Sequence, residues 1–316
     1  MGTTGKHPVG GEGKPNLYQE VTDRIIAELE QGRVPWVHPW GRAKAGLGLP
    51  QNASTGRHYS GVNILILWGT VIEDGFPSQQ WLTFRQALEL GGAVRNGEHG
   101  TRVFYADRFT PKAEIERAER EGDEPQAVHF LKRFTVFNVA QCDGLPERLQ
   151  CEPERMPERE IIPHAEALIA ATGADFRIGG NRAFYVPSED YIQVPPQPSF
   201  YNQIDYYRTC FHELGHHSGH TSRLNRDLTG AFGSSAYGRE ELVAEMTSAF
   251  VCATLGIVPT VRHADYLGSW LEILLEDNRA IFRAASQASK AADFIFAFRD
   301  AKIAGRPVVD AMEAGA

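Results

Sequence analysis

With 316 residues, 42% hydrophobic and 23% charged, the chain has enough apolar mass for two packed domains, which excludes a disordered or fibrous class. A formal net charge of −8 excludes a uniformly basic nucleic-acid binder, so local charge must decide the partners. Cys142, Cys151, Cys210 and Cys252 show no C-x-x-C spacing, excluding a Cys-type structural zinc site and, with no secretory signal at the Gly-rich start, predicting reduced thiols and a cytoplasmic location.

Residues 1–15 read as a flexible leader. Leu17, Val21, Ile25, Ile26 and Leu29 then recur at helical spacing, predicting a helix from about Asn16 to Gln31 that Gly32 and Pro35 stop. From Gln31 to Ile72 there is no Asp or Glu, while Arg33, Arg42, Lys44 and Arg57 are interleaved with Trp36, Trp40, Trp68, His38, His58 and Tyr59. Cations beside aromatic faces suit single-stranded nucleic acid, whose phosphates need positive charge and whose unstacked bases need a π-face. The same residues equally suit hydrophobic plugs closing a small core, and composition does not separate the two.

The longest apolar run, Val62 to Trp68, is far too short to cross a membrane and reads as a buried helix or strand after Gly61. Trp81 to Leu90 predicts a short helix begun near Ser78, Arg102 to Tyr105 a strand, and His129 to Phe137 its partner. Between those strands, residues 111–125 are nearly all charge and are expected to form a mobile hairpin tip. No acid occurs between Gln126 and Cys142, so Lys132 and Arg133 extend the basic surface. Residues 16–145 form the first expected domain, and 146–160, with Pro146, Pro153 and Pro157, an interdomain linker.

The second expected domain spans 161–303, before a tail at 304–316. A helix over 163–172 leads to strands at Ala183–Val186 and Tyr191–Val194, the latter expected at a cleft edge where an extended peptide could pair. Ile204, Tyr207, Phe211 and Leu214 predict an amphipathic helix carrying His212-Glu213-Leu214-Gly215-His216. Histidines four positions apart share a helix face and can share one zinc ion, and Glu213 can serve as general base toward water. This is the H-E-x-x-H constellation of zinc metalloproteases.

The longer metzincin pattern fails because Ser222 stands where its last histidine belongs. A better source of a third ligand is Glu240-Glu241-Leu242-Val243-Ala244-Glu245, opening a second apolar helix. It resembles the glutamate helix of gluzincin proteases. That resemblance makes Glu241 the third zinc ligand and Glu245 the carboxylate that accepts an imidazole N–H, with Glu240 directed elsewhere. Asp265 to Phe298 reads as core-facing helices that close the domain.

Taken in order, Leu17 to Ile26, Val34-Pro35-Trp36 with Pro39-Trp40, Ser54 to Asn63, His212 to His216 with Gly219-His220, Ser222 to Arg226 and Tyr237 to Glu245 resemble the ArdC-type antirestriction proteins of mobile elements. The resemblance implies an α+β protein of two domains: a small single-stranded-DNA-binding domain, then a mostly helical zincin-like metallopeptidase domain with a small sheet. It turns Trp36, Trp40, Lys44, Arg57, Tyr59, Lys132 and Arg133 into expected DNA contacts, beside an unknown protein substrate. Two alternatives stand beside this expectation. One is a DNA-coating protein with a structural zinc site, the other a protease whose first domain recognises protein.

Overall fold

A computed structural model describes residues 17–37, 45–149, 158–231, 233–260 and 266–304. The first apolar stripe forms helix α1 (Leu17–Glu30), with Val21, Ile25, Ile26 and Leu29 buried. A two-residue strand β1 (Gln51–Asn52) follows, and then Gly61, at φ 60°, turns the chain into α2 (Val62–Asp74). The ambiguous apolar run is therefore a helix, and it is buried on every side from Val62 to Val71, as a helix without a polar face must be.

The single helix expected over 81–90 is instead strand β2 (Gln80–Leu82) followed by α3 (Phe84–Glu89). Thr83 decides the boundary. Its hydroxyl accepts the Gln86 N–H at 3.2 Å, and the Gln86 side chain accepts the Thr83 N–H at 2.9 Å, a capping box that starts the helix at Phe84.

Beyond β3 (Ala93–Val94), the long strand β4 (Thr101–Phe109) leads into α4 (Lys112–Glu121) and back along β5 (Val128–Asn138). The expected mobile tip is thus a helix. Arg117 pairs with Glu114 at 2.7 Å and with Glu121 one turn on, the spacings at which opposite charges support a helix. β6 (Cys142–Asp143) pairs with β3, and the main sheet runs β1-β2-β5-β4.

Of the expected linker, residues 150–157 lie outside the described residues. Helix α5 (Glu158–Thr172) starts earlier than expected and carries Pro163 inside it. Next come β7 (Asp175–Ile178), β8 (Phe184–Val186) and β9 (Tyr191–Val194), in the sheet order β7-β9-β8. Both anticipated strands form, but Tyr191–Val194 is the central one, parallel to β7 and antiparallel to β8. The edge position expected of it belongs to β8. Among the described residues four helices follow: α6 (Gln203–Ser218), α7 (Ser235–Thr254), α8 (Leu267–Glu276) and α9 (Ala280–Ala304).

A single contiguous cluster of buried apolar side chains joins the two halves. Trp36 packs edge-on against Trp270 with ring centroids 5.3 Å apart, Trp68 meets Phe250 of α7 at 5.8 Å, and Tyr18 and Phe104 both meet Phe282 of α9. Polar contacts cross the same seam. The Gly61 N–H donates to Ser289 Oγ at 2.9 Å, and the Thr22 hydroxyl donates to the Asn278 carbonyl at 2.8 Å. Among the described residues no helix is long and apolar enough to cross a membrane.

Candidate metal centre and nucleic-acid surface

Helices α6 and α7 lie side by side, and Gly215 sets how closely. A Cβ at Gly215 would stand 3.1 Å from the Ala244 Cα and 3.3 Å from the Ala244 carbonyl oxygen, so a side chain here would make the facing backbone give by a few tenths of an ångström. The approach brings Glu241 of α7 against both histidines of α6. Its Oε2 lies 3.5 Å from His212 Nε2 and its Oε1 lies 3.4 Å from His216 Nε2. One ligand atom from each of His212, His216 and Glu241 falls within 4.8 Å of the others, a spacing that fits one metal ion among them.

The outer nitrogens of the two rings each face a carboxylate. His212 Nδ1 is 3.9 Å from Glu245 Oε1, and His216 Nδ1 is 3.2 Å from Glu240 Oε1. The expectation that Glu240 points elsewhere is therefore corrected. Arg226, nearly fully buried, grips Glu240 with Nη2 at 2.7 Å from Oε1 and Nε at 3.0 Å from Oε2, and donates to the Gly215 carbonyl at 2.6 Å. This planar fork folds back from the segment after α6 and ties both helices together.

Electrostatics follow from this crowding. Burial disfavours ionisation of Glu241, but hydrogen bonding to His212 and His216 outweighs it and holds the carboxyl well below its usual range. Burial likewise favours a neutral His216, yet Glu240 and Glu241 outweigh it and push the imidazole up to about 10. The donor set of two imidazoles and a carboxylate, with a further carboxylate facing each ring's outer nitrogen, fits a divalent metal ion.

The centre opens on a cleft of about 650 Å³ lined by Phe184 and Tyr185 of β8, by Glu213, and by Tyr237 and Tyr266. Behind β8, the Tyr185 hydroxyl donates to Asp190 Oδ1 at 2.7 Å, and Arg223 pairs with Asp190 while donating to the His217 carbonyl at 2.6 Å. The cleft wall is thereby latched to the end of the histidine helix. His220 plays a different part: its Nδ1 accepts the Ser222 N–H at 3.2 Å and shapes the turn after α6.

The expected DNA contacts divide between buried and exposed positions. Trp36 is fully buried against Trp270 and Tyr59 is buried at 5% exposure, so neither offers a free face for stacking in the way the sequence suggested. Trp36 is a plug between the two halves. Arg57, Lys132 and Arg133 are exposed. Trp40 and Lys44 lie outside the described residues.

Against known families, residues 15–137 match the N-terminal domain of the anti-restriction factor ArdC, and residues 163–287 match a zincin-like metallopeptidase domain. The metal-free crystal structure of the antirestriction ArdC protein of plasmid R388 superposes with a TM-score of 0.75 at 39% identity, covering 92% of this chain and 99% of that one. The chain belongs to the ArdC antirestriction family.

The Mn(II)-bound form of the R388 protein matches this ArdC-family chain equally, with a TM-score of 0.74 and 40% identity over 90% of this chain and 98% of that one. An uncharacterized protein of Sinorhizobium fredii, y4eC, is 40% identical over 89% of this chain and 92% of its own length. A DNA primase TraC of Escherichia coli is 38% identical over 96% of this chain, which spans only 29% of that longer protein. Within the ArdC-family site, Glu240 and Arg226 are the residues that sequence reasoning missed. Glu240 stands next to Glu241 in sequence, and the only local hint of its role was its place in the same helix turn.

Proposed function

We propose that this ArdC-family chain is a zinc-dependent peptidase joined to a single-stranded-DNA-binding region, and that it acts in the cytoplasm to help incoming DNA of a mobile element evade host restriction. The convergence of His212, His216 and Glu241 beside Glu213 carries the peptidase reading. When bound, the metal supplies Lewis acidity that polarises a carbonyl and acidifies water. Glu213 takes the proton from the attacking water and hands it to the departing amine. The open edge of β8 offers backbone groups with which an extended peptide can pair, held firm by the Asp190–Arg223 latch. Acid-free sequence around exposed Arg57, Lys132 and Arg133 supports the DNA reading.

The test is Glu213→Gln. The variant is expected to retain zinc by elemental analysis of the purified protein and to lose about 10²- to 10⁴-fold in peptide hydrolysis. If it keeps both its metal and its full protection of transferred DNA, protection does not depend on cleavage and the centre is structural.

A further inference from the structure

A second concavity, about 370 Å³, lies on the N-terminal sheet away from the metal centre. Its size falls within the ~300–1,000 Å³ of small-ligand pockets. Strand alternation builds it. Val103 and Tyr105 of β4 stand opposite Phe134 and Lys132 of β5, and these four share one face. Val103 and Val136 form a buried floor, while Tyr105 and Phe134 are each 45% exposed. Their rings meet edge to face with centroids 5.5 Å apart, leaving a notch with aromatic π-surface open to solvent.

Tyr59 closes one side of the notch, and Lys132 stands at its rim. Arg57, two residues before Tyr59, is exposed. Arg133, opposite Phe104, belongs to the other face of the sheet and so leaves this surface to Lys132. Both 31–72 and 126–142, which supply Arg57, Tyr59, Lys132 and Phe134, are free of acidic residues. An exposed aromatic pair rimmed by cations, with no acid in those flanking segments, complements a polyanion that carries flat apolar rings.

We propose that this notch is a base-stacking subsite for single-stranded DNA, where one unpaired base lies against Tyr105 and Phe134 while neighbouring phosphates meet Lys132 and Arg57. The assignment rests on the DNA-binding reading above and moves its stacking surface from the Pro-Trp segment to the β4–β5 face.

The experiment measures fluorescence anisotropy of a labelled oligothymidylate and of an abasic oligomer of equal length, titrated with the full chain. In Tyr105→Leu/Phe134→Leu the apolar cover of the floor is kept and the π-faces are removed. Its affinity for oligothymidylate should fall on the order of tenfold or more, with affinity for the abasic oligomer and the salt dependence unchanged. Lys132→Ala should weaken both oligomers alike and lower the slope of log K against log salt by about 1. Wild-type affinity in the double variant, or equal loss on both oligomers, overturns the subsite and leaves DNA binding standing. Absence of binding by the unaltered chain overturns both. If the double variant does not fold, photocrosslinking of an iodouracil-substituted oligomer to the unaltered chain decides the matter: crosslinks should map to Tyr105 or Phe134, and crosslinks confined to other residues overturn the assignment.

Discussion

His216 sits between two carboxylates, and this determines how the metal centre responds to pH. Glu240 and Glu241 push its imidazole up to about 10, so at neutral pH the metal-free ring carries a proton that a metal ion must displace. Because the shift is upward, the proton is held below that value. Metal affinity therefore rises as pH climbs toward it and falls in acid. Calorimetric titration with Zn²⁺ at pH 7, in buffers of differing ionisation enthalpy, should report about one proton released per ion bound. Trp36 makes a separate prediction. Removal of its fully buried ring by Trp36→Ala should cost about 3–5 kcal/mol in urea unfolding. Its burial was not legible beforehand, because an aromatic ring beside basic residues looks the same whether it stacks on a base or fills a core. What decides is Trp270, a partner in the other half of the chain. The pairing of His212 with His216 was legible because helical repeat alone sets which side chains share a face, whereas Glu241, on a different helix, was named only through the resemblance to the gluzincin glutamate helix. Glu240 was not legible, since its role depends on Arg226 folding back across the turn.

Among the elements, the α6–α7 pair is the one on which the centre depends. Gly215→Ala would place a methyl 3.1 Å from the Ala244 Cα and make the facing backbone of α7 shift by a few tenths of an ångström. About 1–3 kcal/mol of stability should be lost to overpacking. Metal affinity should fall with it, because Glu241 would retreat from both imidazoles; thermal melts with and without added Zn²⁺ separate the two effects. Strong periodicity made α1, β8 and β9 readable in advance. β7 was missed because the alternation of Asp175-Phe176-Arg177-Ile178 is only four residues long and sits on mostly exposed positions. The charged stretch that became α4 misled for a related reason: its stabilising contacts are ion pairs along one helix rather than apolar burial.

For the whole molecule, the larger of two buried apolar clusters spans both family regions, while a small one around Leu82 and Val139 lies within the first. Trp36, Trp68 and Phe104 from the first half are packed against Trp270, Phe250 and Phe282 from the second. Unfolding should accordingly be a single transition. Near-ultraviolet circular dichroism, which senses the buried indoles, and release of bound metal should share one urea midpoint. Two separated midpoints would mean that the seam contributes little.

Inheritance is bound by the same seam. Severing the halves would strand Trp36, Trp68 and Trp270 in water and leave the scaffold beneath α7 hollow. Recombination therefore has to shuttle both halves as one cassette, whether alone or stitched into a larger polypeptide.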